Sequence, residues 1–171
     1  MIQCVLSTDM VYHAELFSFI KMCIDKNSIK NGKNAEKIFE NLEGIKKTEM
    51  QQKFMDLIIH VCDISNPTKP YEIYAIWADR VMNEFYLQGD KEKDLGIPVS
   101  FLCDRDTTTI PQGQLGFIEG VVLPFYSVFV EFFPGLQYTI DNLLENKKIF
   151  KELKENDEKD KGDKDKKDKK N

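Results

Sequence analysis

Residues Gln114 to Phe133 pull in two directions. Their Val and Phe content suits a strand, but twenty residues is too long for one in a compact domain. Phe117, Val121, Phe125, Val128 and Phe132 share one helical face, while Glu119, Ser127 and Glu131 lie off it. The stretch therefore reads as a helix, kinked at Pro124 and broken by Pro134-Gly135. The same period recurs along the chain. Asp9 caps a helix to about Lys26, with Leu16, Phe17, Ile20, Cys23 and Ile24 on one face. Asn27 to Asn34 reads as a loop, and a short helix covers Ala35 to Leu42, stopped by Gly44. Thr48 and Gln51 pair as a capping box, after which Met50, Phe54, Leu57 and Val61 keep helical spacing to Cys62. Pro67 and Pro70 mark a turn and a new start. Tyr74, Trp77, Val81 and Phe85 then form a stripe ending near Gly89. Lys91 to Gly113 reads as mostly irregular, and a loop that long is usually functional or mobile. Leu136, Ile140, Leu143 and Phe150 carry a final amphipathic helix. The fold class is all-α, a helical bundle.

The chain's 171 residues suit one domain. Residues 1–153 form its body, and 154–171 hold 8 Lys and 7 Asp or Glu, with no apolar side chain to bury. Such a tail is expected to be disordered. Without it the body is left with an excess of about six acidic charges, the wrong sign for phosphate backbones, so nucleic acid is not the expected partner. A small anion remains accessible if metal ions supply the positive field. The cysteines Cys4, Cys23, Cys62 and Cys103 make no CxxC pair and read as reduced, mostly buried thiols of a cytosolic protein. No signal peptide is expected, and the longest apolar run, Gly120 to Val130, is short of the roughly 20 residues of a membrane span.

Phosphate-loop, Rossmann and GxSxG patterns are absent. With only His13 and His60, a His-rich metal site within this chain alone is excluded. His60 and Asp63 share a helix face. From spacing alone they read as a helix-terminal His and an Asp capping the next turn. Taken singly, Asn66-Pro67 is a turn signal, Trp77 and Phe85 are core, and Gln114 is a solvated residue in a helix's first turn.

The ordered strings say more. His60-Val-Cys-Asp63-Ile-Ser-Asn66-Pro67-Thr-Lys-Pro70 resembles the metal-ligand segment of class I 3′,5′-cyclic nucleotide phosphodiesterases. Trp77-Ala-Asp79-Arg80-Val-Met-Asn-Glu84-Phe85 resembles the helix that follows it in that family, and Gln88-Gly89-Asp90-Lys91-Glu92 its next turn. Gln114-Leu-Gly-Phe117-Ile118 resembles the stretch bearing the family's purine-selective glutamine, and Val5 to His13 a pocket-lining segment. The match runs in order from about Val5 to Phe150, as in the carboxy-terminal portion of that HD-type catalytic domain.

The resemblance implies a metal-dependent hydrolase that opens cyclic GMP or cyclic AMP to the 5′-monophosphate in signal transduction. Asp63 would bind the tighter, zinc-like ion of a two-metal pair whose second member is magnesium or manganese. Gln114 would bond the purine edge, with Phe117 stacking on one face and Val81 packing on the other. Asn66, Tyr74, Phe85 and Met10 would line the pocket, with His60 and Trp77 in support. Ala78, and the run Leu95 to Ser100 with Asp104-Arg-Asp106, tilt the resemblance towards cyclic GMP. The general-acid His and the other metal ligands are expected upstream, so no catalytic acid lies in this chain, the metal site is incomplete and the chain alone is expected to be inactive. Cytoplasmic placement is implied for the domain, with membrane anchoring through upstream segments left open. The alternative is a non-catalytic helical module that binds a nucleotide or a partner.

Overall fold

The periodic segments do form helices. The computed structural model describes residues 2–27, 29, 32, 33, 35–40 and 42–168, and among these there is no strand. The helices run α1 (Ile2–Leu6), α2 (His13–Asn27), α3 (Gly44–Asp63), α4 (Tyr71–Asp94), α5 (Ile110–Phe117), α6 (Leu123–Phe132) and α7 (Gln137–Asp168). Short 3₁₀ turns stand at Met10–Tyr12, Ala35–Phe39, Asn66–Thr68 and Pro134–Leu136, and a π-helical turn, Ile118–Val122, joins α5 to α6. The expected loop from Asn27 to Asn34 lies partly outside the described residues.

The chain divides into two units: Met1–Asn66 with Val122–Asp141, and Pro67–Val121 with Asn142–Asn171. The first unit is organised around Phe54 of α3. Its ring lies 5.3 Å from Phe19 of α2, 5.5 Å from Phe39 and 5.5 Å from Phe132 of α6. Leu57 and Val61, three and seven residues further along α3, are buried beside it, as the helical period requires. Tyr126 of α6 donates its hydroxyl proton to the Val61 carbonyl at 2.8 Å.

In the second unit α4 buries Tyr74, Ala78, Met82, Tyr86 and Gly89. This stripe is rotated from the expected one: only Tyr74 belongs to both, Val81 and Phe85 are half-buried, and Trp77 is 51% exposed beneath the Arg80 guanidinium. The small residues decide the face. A Cβ on Gly89 would stand 2.0 Å from the Cys103 carbonyl oxygen, so α4 lies directly against the loop backbone there. That backbone reaches α4 through Leu102, a non-glycine residue at φ 67. A Cβ on Gly113 of α5 would likewise meet the Met82 sulfur at 3.1 Å.

Several boundaries differ from expectation. Gly44 starts α3 instead of ending a helix, because its φ of 53 makes the turn from an extended Glu43. Thr48 is then interior and donates back to the Gly44 carbonyl at 3.3 Å, so it does not cap. Helix α4 passes Gly89 and runs to Asp94 because the following loop is tied to its last turns. Arg105 donates to Asp90, Ser100 to Glu92, and Lys93 to Asp104 and Asp106. The backbone of α7 is helical from Gln137 to Asp168. It lacks Pro, and the i,i+4 pair Lys154–Glu158 favours the helix. Cys62 is exposed, not buried. Among the described residues, Ile110–Phe132 is also apolar and long enough to cross a membrane by length and composition, contrary to the sequence reading. It holds the buried amide of Gln114, which has a protein partner as in a core helix.

Two glycine substitutions check this packing. Gly89→Ala is expected to cost about 1–3 kcal/mol by forcing α4 off the loop backbone. Gly116→Ala, whose Cβ would meet nothing within 4 Å, is expected to be neutral or stabilising by up to about 1 kcal/mol. Urea unfolding measures both, and equal midpoints for the two variants would contradict the close approach.

Candidate functional site

The second unit holds five of the candidate pocket residues, Tyr74, Val81, Phe85, Gln114 and Phe117. Thr109 caps α5 by accepting from the Gln112 amide, and Pro111 fits the first turn, so Gln114 sits one turn into the helix. There its side chain is buried, not solvated. The Tyr74 hydroxyl donates to Gln114 Oε1 at 2.6 Å. Burial pushes the Tyr74 phenol well above the usual range, so it remains a donor. One lone pair of the Gln114 oxygen is thereby used, and Nε2 lies in the same amide plane on the other side of the Cγ–Cδ axis. Two further ties hold the same helices in register: Met82 against Gly113, and the Tyr86 hydroxyl donating to the Thr108 carbonyl at 2.8 Å. Phe117 follows one turn after Gln114 and is half-buried, as are Val81 and Phe85.

Asn146 of α7 was not singled out in the sequence. It is 1% exposed and donates from Nδ2 to the carbonyls of Pro67 and Lys69, both at 2.8 Å. Asn142 donates to the Thr68 carbonyl. These two amides tie the Pro67–Pro70 turn that leads into α4. A lone Asn at helical spacing from another gives no signal in sequence beyond the polar interruption of an apolar face.

The first unit holds Met10, Asp63 and Asn66. Met10 is 46% exposed in a 3₁₀ turn whose N-cap is Asp9. Asp63 is exposed as the last residue of α3, and Asn66 is half-buried at the start of the next 3₁₀ turn. Behind Asp63 stands a histidine pair. His60 Nδ1 lies 3.2 Å from the Ser7 carbonyl oxygen, and His60 Nε2 lies 3.0 Å from His13 Nδ1. A carbonyl only accepts, so His60 carries its proton on Nδ1. With His60 neutral, Nε2 accepts, and His13 carries its own proton on Nδ1. The Phe125 ring lies 4.9 Å from His13 and 5.7 Å from His60.

Burial is the largest cause that lowers both imidazoles below 6.5, and for His13 the charge of His60 adds to it. For His60 the Ser7 carbonyl and then the Asp63 carboxylate act the other way and do not overcome burial. Both rings are therefore neutral near pH 7.

These residues do not by themselves hold two metal ions. Among the described residues no group of three or more His, Cys, Asp or Glu gathers as a metal site. The two imidazoles face each other, and Asp63 offers one carboxylate where divalent sites take four or more donors. Asp63 fits the part of one ligand in a larger set.

The profile of the 3′5′-cyclic nucleotide phosphodiesterase family matches residues 1–143. The chain belongs to that family. It is 35% identical over 151 residues to a probable 3′,5′-cyclic-AMP phosphodiesterase of Caenorhabditis elegans, covering 88% of this chain and 21% of the relative. It is 33% identical over 153 residues to a 3′,5′-cyclic-AMP phosphodiesterase, isoform F, of Drosophila melanogaster, covering 89% and 22%. The chain thus spans only about a fifth of the length of these relatives. A solved structure of LmjPDEB1 in complex with IBMX superposes with a TM-score of 0.73 at 31% identity, covering 91% of this chain and 42% of that one.

The lowered imidazoles have a testable consequence. A histidine whose native pKa lies below its unfolded 6.5 is protonated first in the unfolded chain. Its neutral, buried form therefore supports the fold fully above about 6.5, and that support is lost as pH falls from there towards the native values. Urea unfolding between about pH 7.5 and 5.5 should show a falling midpoint, and the fall should shrink in His13→Phe. The same slope in both proteins would contradict a neutral buried pair.

Proposed function

We propose that the protein to which this chain belongs hydrolyses 3′,5′-cyclic nucleotides to 5′-monophosphates, with this chain supplying the purine-binding side of the site and one metal ligand. The observation that carries the reading is the buried Tyr74–Gln114 bond, one turn from Phe117. An amide offers a planar donor and acceptor pair that matches a purine edge, and an aromatic ring a turn away offers the stacking face. Two divalent ions, zinc with magnesium or manganese, would supply a polarising charge and an activated water. Asp63 would be one ligand and the other donors would come from outside these residues.

The choice of purine belongs to the same amide. Adenine presents a donor where guanine presents an acceptor, so a held amide discriminates between them. Cyclic GMP is the substrate favoured by Ala78 and by the run from Leu95 to Ser100. The relatives' own names favour cyclic AMP. A competition assay with both nucleotides on the whole protein decides.

The alternative, a non-catalytic module binding a nucleotide or a partner, is favoured by the shortage of metal donors in the described residues. The purified chain is expected to show no metal-dependent turnover of either nucleotide, whereas the whole protein turns over. In the whole protein, Phe117→Ala should raise KM by one to two decades, since stacking is worth about 1–3 kcal/mol per base. Asp63→Asn should lose metal content and turnover while remaining folded. A Phe117→Ala enzyme with unchanged KM, or an Asp63→Asn enzyme with full metal content, would remove that residue from the site.

A further inference from the structure

Two tyrosines of α4 hold α5 at its two ends. Tyr74 donates to the Gln114 side chain, and Tyr86 donates to the carbonyl of Thr108, the residue before the Thr109 cap. Tyr74 is fully enclosed, so its bond is kept by packing. Tyr86 is held differently. The Arg105 guanidinium lies over its ring, 5.2 Å from the ring centre. Arg105 in turn donates from Nε and Nη2 to the two oxygens of Asp90, at 3.1 and 2.6 Å. These bonds hold the Asp90 carboxyl below the usual carboxylate range, so the pair stays charged near neutral pH. Asp90 stands one turn after Tyr86 on α4, so carboxylate and ring present to the same side. The ring is buried while Arg105 and Asp90 are both partly exposed, so the guanidinium covers the tyrosine from the solvent side.

Apolar packing alone does not do this work. Gly113 against Met82 sets how near α5 comes to α4, but such a contact carries no direction, whereas the hydrogen bond to Thr108 does. Gln114 follows Thr108 by six residues along the same run, so a shift where α5 begins displaces the amide. An exposed ion pair by itself contributes little. This one is two-pronged, and its guanidinium stacks on the ring that bonds to the entry of α5. The loop's attachment does not rest on Arg105. Lys93 ties it to α4 separately through Asp104 and Asp106, and the Cys103 carbonyl packs at Gly89.

We propose that Arg105 is a positioning residue for the Gln114 amide: fixed by Asp90 and laid over Tyr86, it keeps the Tyr86–Thr108 bond and with it the start of α5. The inference rests on the functional reading of Gln114 as the purine contact, and extends that reading to a residue with no hydrogen bond to Gln114 itself. Its effect on the reaction is therefore on how well the purine is held and not on the chemical step.

Two readouts test it. In the chain by itself, Arg105→Gln should speed amide hydrogen exchange in α5 by about threefold or more, with exchange in α3 unchanged. In the whole protein, the same variant should raise KM for cyclic AMP or cyclic GMP by about three- to tenfold and leave kcat within about twofold. Tyr86→Phe should do likewise. The double variant should stay within about twofold of the worse single one, because both residues act through one hydrogen bond. Unchanged exchange in α5, or exchange raised equally in α3 and α5, would overturn the proposal. So would an unchanged KM, a loss in kcat with KM unchanged, or KM effects of the two single variants that multiply in the double. A whole protein that turns over neither nucleotide would sink the functional reading, and the exchange comparison would still decide whether Arg105 holds α5.

Discussion

Helix α4 can stand where it does only because two glycines let backbones approach it. At Gly89 the helix meets the Cys103 carbonyl with no room for a side chain, and at Gly113 the helix α5 backbone meets Met82. These contacts fix the distance between α4, the loop after it and α5. At that distance Tyr74 reaches Gln114, and Tyr86 reaches the Thr108 carbonyl. A buried amide without a partner would cost about 1–3 kcal/mol, so the polar pair is tolerable only because the apolar packing brings it together. The orientation of the Gln114 amide depends on this register, since it is set by the tyrosine and not by solvent.

The first unit shows a related economy. Phe54 gathers three other rings, and the histidine pair lies against Phe125 with each ring nitrogen in the pair's contact assigned a donor or acceptor role. No buried side-chain nitrogen or oxygen among the described residues lacks a hydrogen-bond partner. The stretch from His60 to Asp63 thus divides along one helix: His60 is buried and hydrogen-bonded inside, and Asp63 is left exposed at the helix end. Their charges still communicate, because the carboxylate favours protonation of the imidazole against its burial.

Much of this was legible from residue order. Helical period located α2, α3, α4 and α6, and prolines located the turns at Pro67, Pro70 and Pro134. The misreadings have physical causes. A hydrophobicity stripe put Trp77 inward, but close approach favours small residues, so Ala78 and Gly89 set the buried face. The π-helical turn Ile118–Val122 changes the register between Phe117 and Phe125, so that Phe125 and Phe132 are buried while Phe117 and Val121 are half-buried. Tyr74 and Gln114 were both named as pocket residues through family resemblance, yet spacing could not reveal that residues forty apart bond to each other. His13, Asn142 and Asn146 carried no local signal of their partners, because their hydrogen bonds are to residues at least 47 positions away.

The central claim is that Tyr74 and Gln114 act as one unit that fixes the Gln114 amide. A double-mutant cycle with Tyr74→Phe and Gln114→Met, read by urea unfolding, measures that directly. Coupled contacts of this kind give interaction energies of about 0.5–3 kcal/mol, and the account expects a favourable value in that range. Strictly additive losses, with no coupling, would contradict it.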